Sequence, residues 1–189
     1  ATLFEEIPES KKIAREEEAH EQALIAITDE ERLKYVGSMV LGLSDALVEL
    51  TGTLAGLSFA LQNTKLIALS GLITGISATL SMAASEFMAA RSEGRNDALK
   101  SCLYTGIAYL ITVALLVLPY LLLPTTGYLA ALIIMLFTVV LIIAVFNYYI
   151  AVAKDMIFKK RFFEMAGISI GVAVVAFVIG LLVKTFLGI

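Results

Sequence analysis

From residue 35 to the C-terminus, long apolar stretches alternate with short polar breaks. The stretches fall at about 35–61, 64–93, 97–123, 127–154 and 162–186. Each holds about 20 or more largely apolar residues, the length at which a helix crosses a hydrocarbon core. The breaks are brief: Gln62-Asn63, Gly94 to Asn96, and Pro124-Thr125-Thr126. Gly94 is placed to end the second helix, and Asn96 to cap the third. No long internal repeat interrupts the pattern. It predicts an all-α integral membrane protein, with five transmembrane helices and an N-terminal cytosolic helix.

The residues before the first span follow another rhythm. Pro8 suits a first helical turn, and Ile13, Ala14, Leu24 and Ile27 give a modest apolar stripe at helical spacing. Between them runs REEEAHEQ, residues 15–22. Thr28 and Glu31 have capping-box spacing, so a new helix is expected to start at Thr28. The expected division is an acidic cytosolic helix over 1–27 and a five-helix transmembrane bundle over 28–189. The opening ATLFEEIPESKK has no apolar h-region, so no cleavable signal peptide is expected.

Composition agrees with the pattern. Of 189 residues, 59% are hydrophobic and 16% charged; soluble domains are usually about 45–50% apolar and about 25% charged. The single Cys102 cannot form an internal disulfide and says nothing of redox compartment. Net charge is -3, but the basic residues are segregated. Lys11, Lys12, Arg15, Arg32 and Lys34 precede the first span, Arg91, Arg95 and Lys100 flank the second break, and Lys154, Lys159, Lys160 and Arg161 flank the fourth. With five spans these all fall on one side, and only Lys65 and Lys184 on the other. The positive-inside rule then puts the N-terminus in the cytoplasm and the C-terminus outside.

Candidate chemistry lies inside the spans. Asp45 and Glu49 are four residues apart near the middle of the first, hence on one helical face. Each acid at bilayer depth costs roughly 2.5–3.5 kcal/mol, and intramembrane acids point to function. No span carries a Lys or Arg near its centre, so the partner expected is a proton or a cation that comes and goes. Ser38, Gly42, Gly52 and Gly56 share the stripe of the acids and would let another helix approach closely. On the second span Gly71, Gly75, Thr79, Met82 and Glu86 recur on one face. Counted from the cytosolic helix ends, Asp45 and Met82 lie at matching depths within about one turn. Asp45, Glu49, Met82 and Glu86 are therefore expected to stagger along a path between the first two helices. Carboxylates with a thioether suit Fe²⁺ or Mn²⁺ better than Mg²⁺ or Ca²⁺.

The stretch GLSDALVELTGTLAGLSFAL followed by GISATLSMAASEFMAARSEG resembles the vacuolar iron transporter family, over residues 30–189. The resemblance implies a five-span homodimer that exports Fe²⁺ or Mn²⁺ from the cytosol in exchange for protons, along a path at the dimer interface. It implies that Asp45 matches the first-span Asp of an S-D motif and Met82 the Met of an S-M motif. Glu86 matches the Glu of a G-E-Y/F form, with Ser85 in place of the Gly. Plant members carry an acid where Thr74 stands, and Glu49 is read as supplying that charge. They also insert a metal-binding domain where this chain has only residues 94–96. Glu17-x-x-His20, with Glu21 beside it, has the spacing of ferritin-like di-iron helices and resembles the last helix of the rubrerythrin-type domain carried by some relatives.

The metal residues expected are thus Asp45, Glu49, Met82 and Glu86, with Glu17, His20 and Glu21 outside the membrane. The expected partners are Fe²⁺ or Mn²⁺, protons, the bilayer and a second copy of the chain; no prosthetic group and no nucleic acid is expected. Two other readings stand beside proton-coupled export. One is a passive divalent-cation channel through the same site. The other is a membrane-anchored ferroxidase, which needs a second Glu-x-x-His motif and two further carboxylates; no enzyme activity is therefore expected. A mere anchor would give the buried acids no role. Three acids cannot all be ionised cheaply in one dry path, so the empty site is expected to hold a proton that an arriving cation expels.

Overall fold

The computed structural model describes residues 8–153 and 157–187, and the side chains of 35–152, 157–183, 185 and 186. The described residues form five helices: α1 Pro8–Leu61, α2 Thr64–Ser92, α3 Ala98–Leu122, α4 Tyr128–Ala153 and α5 Phe158–Leu187. All five contain a stretch long and apolar enough to cross a membrane. The chain divides into two compact units, Ala1–Gly37 and Ser38–Ile189. In the first the backbone is helical from Pro8 onward. The second is the helix bundle.

Two local expectations are corrected. Thr28 does not start a helix but lies inside α1. No Gly or Pro interrupts residues 9–36, and a Thr three residues before a Glu is also ordinary helical sequence. Asn96 does not cap α3; Asp97 holds that position, without a side-chain bond to the helix. Elsewhere the punctuation acts as read. Gly94 takes φ +70 just past the end of α2, a left-handed conformation that glycine adopts without strain. The α1–α2 turn is two residues: Gln62 at φ 51, then Asn63, whose side chain caps α2 by accepting from the N–H groups of Lys65 and Leu66. Helix α5 starts four residues earlier than its apolar stretch because the basic Lys159, Lys160 and Arg161 are helical too.

The bundle has an apolar core with buried hydroxyls among it, and an apolar outer surface, as expected where lipid is the solvent. Its core joins Leu47, Leu50 and Leu54 of α1 to Ile67 of α2, Tyr109, Leu116 and Tyr120 of α3, and Met135, Val139 and Ile143 of α4. Thr51, Ser58, Thr79, Ser101, Thr105 and Thr112 are buried. Most of these hydroxyls bond back to the carbonyl four residues earlier, as Thr79 does to Gly75 at 2.7 Å and Thr112 to Ala108 at 2.8 Å. Leu80, Ile73, Ile133, Phe137 and Phe163 face outward.

Glycines set how closely α1 is approached. A Cβ on Gly42 would lie 2.5 Å from the Thr105 carbonyl oxygen of α3. One on Gly52 would lie 2.8 Å from Val172, and one on Gly180 would lie 2.6 Å from the Gly56 carbonyl oxygen, both at the α1–α5 contact. The small stripe of α1 thus meets α3 near Gly42 and α5 near Gly52 and Gly56, about 15 Å further along the axis. Asp45 and Glu49 lie in the interval between these two crossings. The Gly71 and Gly75 pair of α2 packs inside the same chain, against Leu54 of α1 and Val113 and Val117 of α3.

Candidate functional site

In that interval Asp45 is half-buried and Glu49 is exposed. The Tyr109 hydroxyl, reaching across from α3, donates to Glu49 Oε2 at 2.7 Å and also interacts with Asp45. Tyr109 itself is fully buried. A phenol has one proton to give. With that proton on Glu49, the phenol has no second proton to give to Asp45. No Lys or Arg pairs with either acid among the described residues. The site therefore holds two uncompensated carboxylates one turn apart, tied by one phenol.

Met82 is half-buried on α2 and packs against the apolar core. Glu86 sits deeper in the protein and is held by partners from two other helices and a turn. Its Oε1 accepts from Ser38 of α1 at 3.0 Å, from Ser101 of α3 at 2.5 Å, and from Arg95 Nη2 at 3.2 Å. Ser38 and Ser101 lie 2.6 Å apart. Arg95, from the turn after α2, also reaches Glu93 at 2.9 Å. Its pKa is raised further above the usual guanidinium value, chiefly by the hydrogen bond to Glu86 and then by the charge of Glu93, so it stays charged at every accessible pH. All three bonds fall on Oε1; Oε2 has no partner among the described residues.

The four intramembrane candidates are thus distributed, not gathered. Asp45 and Glu49 share Tyr109, Met82 rests on the core, and Glu86 closes a separate cluster with Arg95. Among the described residues no group of three or more His, Cys, Asp or Glu could hold a metal within one copy of the chain. The side chains of Glu17, His20 and Glu21 lie outside the described residues. Asn147 makes a helix–helix contact, its Nδ2 donating to the Ile143 carbonyl at 2.8 Å and lying 3.4 Å from Met165 Sδ of α5. Tyr109 is the participant that sequence reasoning misses. It is an aromatic residue in an apolar run, 60 positions from its partner, and no local motif marks it.

No curated protein matches the chain at a significant level. The model of the VIT family matches residues 36–97, which take in the first two spans, the turn between them and the turn bearing Arg95. Asp45, Glu49, Met82 and Glu86 all lie inside the matched region, and Tyr109 lies beyond it. That match, on a chain with five membrane-length helices, supports its membership of the vacuolar iron transporter family.

Proposed function

We propose that this chain exports Fe²⁺ or Mn²⁺ from the cytosol in exchange for protons, and that Asp45 and Glu49 carry the ion. Membrane transport of divalent metal is what the family implies; the choice of metal, the coupling and the residues are our reading. One observation carries it. Two acids stand within the first membrane-length stretch of α1, paired with no cation among the described residues, and one of them is exposed at the protein surface. An exposed carboxylate costs roughly 2.5–3.5 kcal/mol there, so its surface is covered by something polar or cationic. A second copy meeting the first across a two-fold axis would cover it with an identical surface. The two copies would then supply two Asp45 and two Glu49 carboxylates to one path, with Met82 offering a thioether that favours Fe²⁺ or Mn²⁺.

Glu86 enters this reading through Oε2 alone, at the end of the path nearer Arg95. Protons enter through charge balance. A divalent ion neutralises two carboxylates as it binds, and protons replace it as it leaves on an acidic far side. In this reading the N-terminus lies in the cytosol, where Glu17, His20 and Glu21 collect metal.

Anaerobic uptake into proteoliposomes tests this reading. With metal equal on both sides, an imposed pH gradient should drive accumulation, and Asp45→Asn should abolish it while the protein still inserts. Accumulation that ignores the pH gradient and only follows the metal gradient would leave the passive channel in its place.

A further inference from the structure

Away from the two acids, α1, α4 and α5 enclose a cleft of about 260 Å³. One end is polar: Arg161 and Glu164 of α5 and Asn147 of α4 line it, with Ser44 of α1. Val48 and Ile168 carry it toward the bilayer interior as an apolar slot. The cleft is thus amphipathic along its length, and α4 and α5 carry exposed apolar residues beside it (Val145, Tyr149, Ile170).

The polar end is unsatisfied in a particular way. Arg161 makes no hydrogen bond or ion pair with any described residue, although Glu164 is only one turn away. Arg161 stands in the first turn of α5, where backbone N–H groups lack helical acceptors and the helix dipole favours an anion. Exposed Lys159 and Lys160 adjoin it. Asn147 is 3% exposed, and its Nδ2 is used by Ile143 and Met165. Its Oδ1 has no partner among the described residues and is left to accept a bond. The rings of Tyr148, Phe158, Phe162 and Phe163 meet in sequence at this end, with centroids 5.4–6.3 Å apart. Of these rings Tyr148 is of the amphipathic kind enriched at headgroup depth.

We infer that this cleft is a binding site for an acidic phospholipid with a hydroxyl-bearing headgroup, of which phosphatidylglycerol is the simplest. The phosphate sits on the Arg161 guanidinium and the first turn of α5. Headgroup hydroxyls donate to Asn147 Oδ1 and the Glu164 carboxylate. The first part of an acyl chain occupies the slot between Val48 and Ile168. Basic clefts between membrane helices bind anionic headgroups in this manner, and among the described residues three adjacent cations against one Glu164 favour a net negative ligand. The site is independent of how the chain moves metal.

The test is thermal melting of the full-length protein in detergent, titrated with phosphatidylglycerol, with phosphatidylcholine or with soluble glycerol phosphate. Phosphatidylglycerol should raise the melting temperature well above the shift given by phosphatidylcholine, and glycerol phosphate should give no shift. Arg161→Gln should weaken the phosphatidylglycerol response about fivefold in concentration, the worth of one basic contact near a membrane surface, and Arg161→Lys should restore part of it. Ile168→Trp, which fills the apolar slot and leaves the charges alone, should also lower it. Native mass spectrometry of the unaltered protein counts retained lipid should either variant fold poorly. Equal responses to the two lipids, a response unchanged in both variants, or an equal response to glycerol phosphate would each overturn the proposal.

Discussion

Tyr109 shows how one hydroxyl can organise a site. It is fully buried, yet it reaches an exposed carboxylate at 2.7 Å. The bond fixes Glu49 and, in the function proposed above, leaves Glu49 Oε1 and the Asp45 carboxylate for a cation. Tyr109→Phe keeps the ring packed and removes only the bond. Metal affinity measured anaerobically by calorimetry should fall about tenfold, the worth of a hydrogen bond to a charged group, with the melting temperature little changed. Affinity equal to that of the unaltered protein would remove Tyr109 from the site. Glu86 gives the opposite lesson in legibility. Its depth and spacing on α2 are plain in the sequence. That its Oε1 is taken by Ser38, Ser101 and Arg95 is not, because those partners come from two other helices and a turn. A serine in an apolar run reads only as a small residue until its neighbours are known.

Among the elements, the α1–α5 contact depends most on what is missing from the side chains. Gly56 and Gly180 meet backbone to backbone, whereas Gly171, on the same helix as Gly180, has nothing within 4 Å of an added Cβ. Gly180→Val should therefore lower stability by about 1–3 kcal/mol, as overpacking does, while Gly171→Ala should change it by less than about 0.5 kcal/mol. Melting both variants in one detergent checks the pair; equal losses would mean that α5 does not hold α1 through Gly56. The elements themselves were legible, since apolar length alone locates five spans and glycine marks the end of α2. The helix starts were less so. Thr28 has the spacing of a cap but sits in uninterrupted helix-forming sequence, and the cap of α3 falls one residue after Asn96. The small stripe of α1 was visible as a stripe, but not that α3 and α5 share it at different heights, because periodicity gives a face and no neighbour.

For the whole molecule, five spans and lopsided basic residues lead us to expect the N-terminus on the cytoplasmic side. Cys102 is buried, so single reporter cysteines can be read against a low background. Gln62→Cys should react with a membrane-impermeant maleimide added outside intact cells, and Ser92→Cys only after the membrane is opened. The reverse labelling would invert the orientation and the direction of export with it. The two-residue turn that bears Gln62 also limits how such a protein can work. Thr64, the first residue of α2, donates its N–H to the Thr125 carbonyl at 3.2 Å, so the α1–α2 turn is lashed to the α3–α4 turn. Packed helices already lie about 8–10 Å apart, and three Cα–Cα steps reach about 11 Å. Sliding α1 past α2 by one turn, about 5.4 Å, would use nearly all of that reach and break the Asn63 cap. A piston or elevator stroke between the first two helices is thus mechanically closed to this chain, and any access to alternate sides must come from tilting about a hinge at that tether.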